Sequence, residues 1–182
     1  MSRFIRSTLC LVSMALATAA TAARAQGKAV ELTAGMIGFT SISCSNCSST
    51  STFTTGGPYV SAGFYLSPRL AVEPSLSLQV ASGSGSSATV LGLAVGVPIY
   101  FDQNWGRKGW YVTPRLTYLD ATCSGCGSAS QFGAGVAIGG KMPLNENAAL
   151  RLQASYDYGF ESSNVVSTST IGASIGLSVF VK

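Results

Sequence analysis

The chain has 182 residues, of which 10% are charged and 47% hydrophobic, and a formal net charge of +4. That is one-domain length. The complete lack of histidine removes the commonest general acid/base and metal ligand, so Ser-His and Cys-His nucleophile pairs are excluded.

Arg3 and Arg6 precede an apolar run from Leu9 to Ala23, which closes on Ala23-Arg24-Ala25 before Gln26. A positive start, an apolar middle and an A-x-A site predict a secretory signal peptide over 1–25, with the mature domain at 26–182. A membrane-anchoring helix is the weaker alternative: the run is broken by Ser13, Thr18 and Thr21, and a spanning helix needs about 20 apolar residues. Cleavage removes Arg3, Arg6 and Arg24, which leaves eight Lys/Arg against seven Asp/Glu. The basicity therefore belongs to targeting, and nothing points to nucleic acid.

From Val30 the apolar residues fall on alternate positions, Val30, Leu32, Ala34 and Met36, with Glu31, Thr33 and Gly35 between them. Period two predicts a strand with two different faces. Weaker strands are expected over Tyr59–Leu66, Val90–Phe101, Trp110–Leu119 and Gln131–Met142. Clear alternation recurs over Leu70–Val80, Leu150–Phe160 and Ile171–Val181, which completes eight strands. Pro74, Pro98 and Pro114 lack a ladder donor and are expected at bulges or strand ends. A chain that is apolar on average without a long apolar run spreads those residues on alternate strand positions, as a transmembrane β-barrel does.

The connections alternate in character. Ser67–Arg69, Asp102–Lys108 and Pro143–Ala148 carry tight-turn residues, whereas Ser41–Gly57, Ser82–Ser87, Asp120–Ser130 and Glu161–Ser167 are longer or softer. Barrels of bacterial outer membranes have short periplasmic turns and longer outer loops, so both termini are expected on the periplasmic side.

The polar face carries Glu31, Glu73, Arg115, Lys141, Arg151 and Asp157, three acids and three bases. A soluble sandwich would turn them to water. An eight-stranded barrel has an interior just wide enough to be filled by side chains, so they are expected to point inward and pair. Arg115→Leu should then weaken the barrel. Tyr118, Tyr156, Tyr158 and Phe160 suit an aromatic belt on the outer side, and Trp105 and Trp110 suit the periplasmic boundary.

Three stretches carry a family resemblance: Gly57-Pro-Tyr-Val-Ser-Ala-Gly-Phe-Tyr-Leu-Ser-Pro-Arg-Leu-Ala-Val-Glu-Pro74, Leu93-Ala-Val-Gly-Val-Pro-Ile-Tyr-Phe101 and Gly133-Ala-Gly-Val-Ala-Ile-Gly-Gly-Lys141. On them the chain resembles the superfamily of small outer-membrane barrels of the OmpA-like, OmpX-like and opacity-like kinds. The resemblance implies outer-membrane lipid and the barrel-assembly machinery as partners. The last strand is similar to that machinery's recognition signal, with Ser174, Gly176, Val179 and Val181 in the pattern, although family members commonly finish on an aromatic and this chain finishes Phe180-Val181-Lys182. Small-barrel acyltransferases and deacylases in that superfamily rely on histidine, so their chemistry is not expected. A carboxylate-only hydrolase using Glu73 and Asp157 is the weaker alternative to paired lumen charges.

Cys44-Ser-Asn-Cys47 and Cys123-Ser-Gly-Cys126 each lie in an expected outer loop, while Cys10 leaves with the signal. In an oxidising compartment such pairs favour local bridges, 44 to 47 and 123 to 126. Cross-loop bridges, zinc held by Cys44, Cys47, Cys123 and Cys126, and free thiols stay open. No cofactor is expected. The reading is an all-β, eight-stranded antiparallel up-and-down transmembrane barrel, non-enzymatic, serving envelope structure or surface interaction, with loops 41–57 and 120–130 facing any extracellular ligand. The alternatives are a narrow pore for ions or small solutes, and a secreted soluble β-barrel holding a small apolar ligand.

Overall fold

Alternation drives this chain into long strands. The computed structural model describes residues 30–44, 50–55, 59–83, 86–103, 105–123, 127–161 and 165–181. The strands are β1 (Val30–Cys44), β2 (Thr50–Thr55), β3 (Val60–Ser67), β4 (Leu70–Gly83), β5 (Ser86–Gly96), β6 (Ile99–Tyr100), β7 (Gly109–Cys123), β8 (Gly127–Asn145), β9 (Ala148–Gly159) and β10 (Thr168–Val181). All pair antiparallel, in the order β10-β9-β8-β7-β5-β4-β3-β1, and β1 closes on β10 from Val30↔Val181 to Cys44↔Thr168. β2 and β3 lie against successive segments of β1 and form one interrupted stave; β6 continues β5 between β4 and β7. The described residues therefore form a closed barrel of eight staves, the expected architecture.

The apolar face points out and the polar face in. Leu32, Leu78, Leu152, Ile171 and Val179 are exposed, whereas Glu31, Thr33, Glu73, Arg151 and Ser178 are buried. This is the reverse of a soluble ligand-binding barrel, and that alternative falls. Outside the barrel the Tyr118 ring packs at a tilt against Phe132 (ring centroids 4.9 Å) and Tyr158 meets Phe160 edge-on (5.9 Å), toward the long-loop end.

Several local expectations need correction. Three of the four long loops are shorter than expected, because β1, β4, β5, β7 and β8 run on into the Ser/Thr-rich stretches and β2 lies inside the first of them, whereas 161–167 falls between β9 and β10 as expected. Threonine is β-branched and suits a strand even where hydrophobic alternation has stopped. Pro98 falls at a strand end, between β5 and β6, but Pro74 and Pro114 lie within β4 and β7, away from the bulges. Those fall between Gly35 and Ile37, Tyr65 and Ser67, and Pro143 and Asn145. The first bulge changes the parity of β1, so Met36 and Ile37 both face outward and Gly38 turns inward. The extra residue is accommodated where the Gly35 amide donates to the Tyr59 carbonyl (2.8 Å).

At the short-turn end Gly106 packs against the Tyr65 and Tyr100 rings, and Phe101 N–H donates to Trp110 C=O (3.1 Å). Trp105 and Gly106 both take left-handed backbone conformations (φ 52° and 64°). Trp110 is exposed as expected, and Trp105 is 38% exposed with its indole edge-on to the interior Tyr65 ring (6.4 Å). The Arg107 guanidinium sits 5.9 Å from the centre of the Phe180 ring, which points inward.

Candidate functional site: the charged lumen

The inward positions build three tiers along the axis. Nearest the short-turn end, Glu31 is 1% exposed and its Oε2 accepts from Lys141 Nζ and from the Tyr65 hydroxyl, both at 2.5 Å. Its other oxygen accepts from Thr33 (3.1 Å), and Lys141 also donates to the Tyr100 hydroxyl (2.8 Å). The ammonium lies 4.8 Å from the centre of the Tyr100 ring, within cation–π range.

In the middle tier Arg151, also 1% exposed, uses its fork in three directions. Nη1 donates to Glu73 (2.8 Å), Nε to the Tyr111 hydroxyl (2.7 Å) and Nη2 to Gln153 Oε1 (2.7 Å); Tyr111 in turn donates to Gln153 (3.0 Å). A planar five-donor group is the side chain that can tie three walls together at once.

In the third tier Arg115 forms a bidentate pair with Asp157, Nε–Oδ1 at 2.7 Å together with Nη2–Oδ2. Their side chains are 19% and 15% exposed, so this pair is wetter than the other two. Arg115→Leu is expected to cost about 1–2 kcal/mol, between the values typical of exposed and fully buried pairs. Urea unfolding of refolded protein in lipid vesicles checks this, and a loss indistinguishable from zero would show that the pair carries no weight.

The six lumen charges thus meet as Glu31–Lys141, Glu73–Arg151 and Asp157–Arg115. β8 makes two of these tiers feasible. Gly135 lies between Arg115 and Asp157 in register, and Gly139 lies between Tyr111 and Gln153. A Cβ at Gly135 would collide with the Asp157 carboxylate, and one at Gly139 with the Tyr111 ring. Side chains from β7 therefore reach β9 across the bare backbone of β8. Tyr65, Tyr100, Tyr111, Gln131 and Gln153 were absent from the expected set. Parity could have found Tyr111, four residues before Arg115 on the same face. Gln131 bonds the Phe160 and Val166 carbonyls (3.2 and 3.0 Å) and holds the base of the 161–167 loop.

Among the described residues no group of three or more His, Cys, Asp or Glu could hold a metal. Cys44 ends β1 and Cys123 ends β7. Cys47 and Cys126 lie outside the described residues, as do Cys10 and the expected signal peptide at 1–25.

A closed sheet, apolar outside and ionic inside, is built for a bilayer, and over residues 8–178 the chain matches the family described as Outer membrane protein beta-barrel domain. The chain belongs to that family. It is an outer-membrane barrel, its exposed apolar face in lipid. In barrels of this kind the short turns face the periplasm and the longer loops the outside. No curated protein matches it by sequence. Among solved structures it is similar to Neisserial surface protein A at 19% identity, covering 84% of this chain and 96% of that one with a TM-score of 0.65. It is also similar to Ail, the attachment invasion locus protein of Yersinia pestis (11% identity, 85% and 99% covered, TM-score 0.55). A third is OprG of Pseudomonas aeruginosa (12% identity, 85% and 96% covered, TM-score 0.51). At these identities the likeness concerns the fold.

Proposed function

We propose that this barrel is non-enzymatic and closed, and that it serves envelope structure or surface interaction through its outer loops, 41–57 and 120–130. The observation that carries this reading is the periplasmic half of the lumen. There Glu31, Lys141, Tyr65 and Tyr100 interlock by hydrogen bonds of 2.5–3.3 Å, and Gly106 is packed beneath the two tyrosines. An ion passing along the axis would have to break both buried ion pairs, Glu31–Lys141 and Glu73–Arg151, and such a pair loses several kcal/mol when one partner is removed.

Chemistry is disfavoured on the same grounds. Glu73 and Asp157 are engaged by Arg151 and Arg115, so both carboxylates are committed to charge-assisted hydrogen bonds within the wall rather than turned toward a substrate. The last strand, with Ser174, Gly176, Val179 and Val181, is assigned to recognition by the barrel-assembly machinery. The cysteines at 44, 47, 123 and 126 are assigned to local bridges that stiffen the loop tips, with zinc as the less favoured use.

Planar-bilayer recording of the refolded protein tests closure. A silent bilayer containing heat-modifiable, folded barrel is expected. Steady unitary conductance would replace this reading with that of a narrow pore.

A further inference from the structure

The lumen is filled unevenly. Above the Arg151–Glu73 pair lies a cavity of about 230 Å³, with walls of Ser75 and Ser77 from β4, Thr113 and Thr117 from β7, and Ser155 from β9. Arg115 and Asp157 stand in the wall already paired with each other, so the cavity has hydrogen-bonding capacity without net charge. Thr113 is 4% exposed and lines the cavity, and among the described residues its hydroxyl has no hydrogen-bond partner. A buried hydroxyl normally has one. Leu119, Ala94 and Ala137 add small apolar patches to the same wall.

From this geometry we infer that the outer half of the barrel is a blind vestibule that binds a small neutral polyhydroxylated solute, such as a single sugar or polyol. The inference rests on the closed-floor reading of the proposed function. Ions fit the site poorly, because every charge in the wall is neutralised by a partner and a bare ion would give up its hydration for nothing. A polyol suits it. Its hydroxyls can both donate and accept along the Ser/Thr wall, while its C–H faces meet the leucine and alanines. The volume is adequate, since about 150 Å³ accommodates a six-membered ring.

The experiment uses the refolded barrel in lipid nanodiscs, titrated with glucose and glycerol while the Arg115 Nε–H and Gln153 side-chain amide signals are followed by NMR. Liposome swelling with the same solutes runs in parallel. Saturable shifts without swelling are expected, absent with maltotriose, which exceeds the cavity, and absent in Ser75→Leu, whose side chain would fill it. Heat-modifiable mobility establishes that the variant is folded; should it not fold, the maltotriose comparison on the unaltered chain decides alone. Shifts that rise linearly without saturating, or that maltotriose reproduces, overturn the vestibule and leave the closed barrel standing. Saturable shifts accompanied by swelling overturn the closed floor, and the blind vestibule with it.

Discussion

Replacing Arg151 with methionine is expected to cost the folded barrel about 3–5 kcal/mol. Methionine occupies similar space but donates nothing, so Glu73, itself only 7% exposed, would be left in the lumen with its partner gone. Tyr111 and Gln153 would each lose a donor as well. The double variant Arg151→Met/Glu73→Gln should recover much of the loss, because it removes the stranded charge. That non-additivity separates a charge-pairing effect from a packing defect. Urea unfolding in lipid vesicles gives the four values of the cycle, and strictly additive losses would show that the two residues do not act as a pair.

The second large effect is expected at Gly106, where leucine should cost about 2–5 kcal/mol, from left-handed strain and overpacking together. With φ at 64°, a Cβ there would land on the Tyr65 hydroxyl and within 2.7 Å of the Tyr100 ring. The side chain cannot enter unless the periplasmic segment moves out from under the tyrosines. Gly106→Leu should therefore lower the unfolding midpoint and also make the segment around Trp105 accessible to protease from the periplasmic face. An unchanged midpoint with an uncleaved segment would mean that the turn does not seal the end. Gly106→Asn, whose short polar side chain tolerates the left-handed region better, should fall between the two.

What could be read from the sequence follows from the period of a strand. Side chains alternate strictly, so the face of Arg151 or Asp157 could be assigned from neighbours such as Leu152 and Tyr156 without knowing any pairing. The partners could not, because which acid meets which base depends on the stagger of one stave against the next. Arg115 meets Asp157 because both align with Gly135, and no local signal in β7 or β9 announces that alignment. The bulge at Met36 was hidden for a related reason. Met36 and Ile37 are both apolar, and the shift in parity shows only in the inward Gly38 beyond them. The long hydroxyl-rich extensions of β1, β7 and β8 read as loops because hydrophobic alternation lapses there while ladder pairing continues.

The Glu73–Arg151 pair also bears on how the protein reaches its membrane. β4 and β9 stand four staves apart whichever way the ring is followed, so this contact spans the full diameter. It cannot exist in a half-assembled sheet. Until the first and last strands meet, both groups would lie on an open face, and moving that face into hydrocarbon would carry unpaired charge and an unpaired sheet edge with it. The seam joins residues as distant as Val30 and Val181, so it is a late event that awaits delivery of the whole chain. Insertion and ring closure are thereby coupled, and a chain truncated before β9 would be expected to stall at the bilayer surface rather than enter it as a smaller sheet.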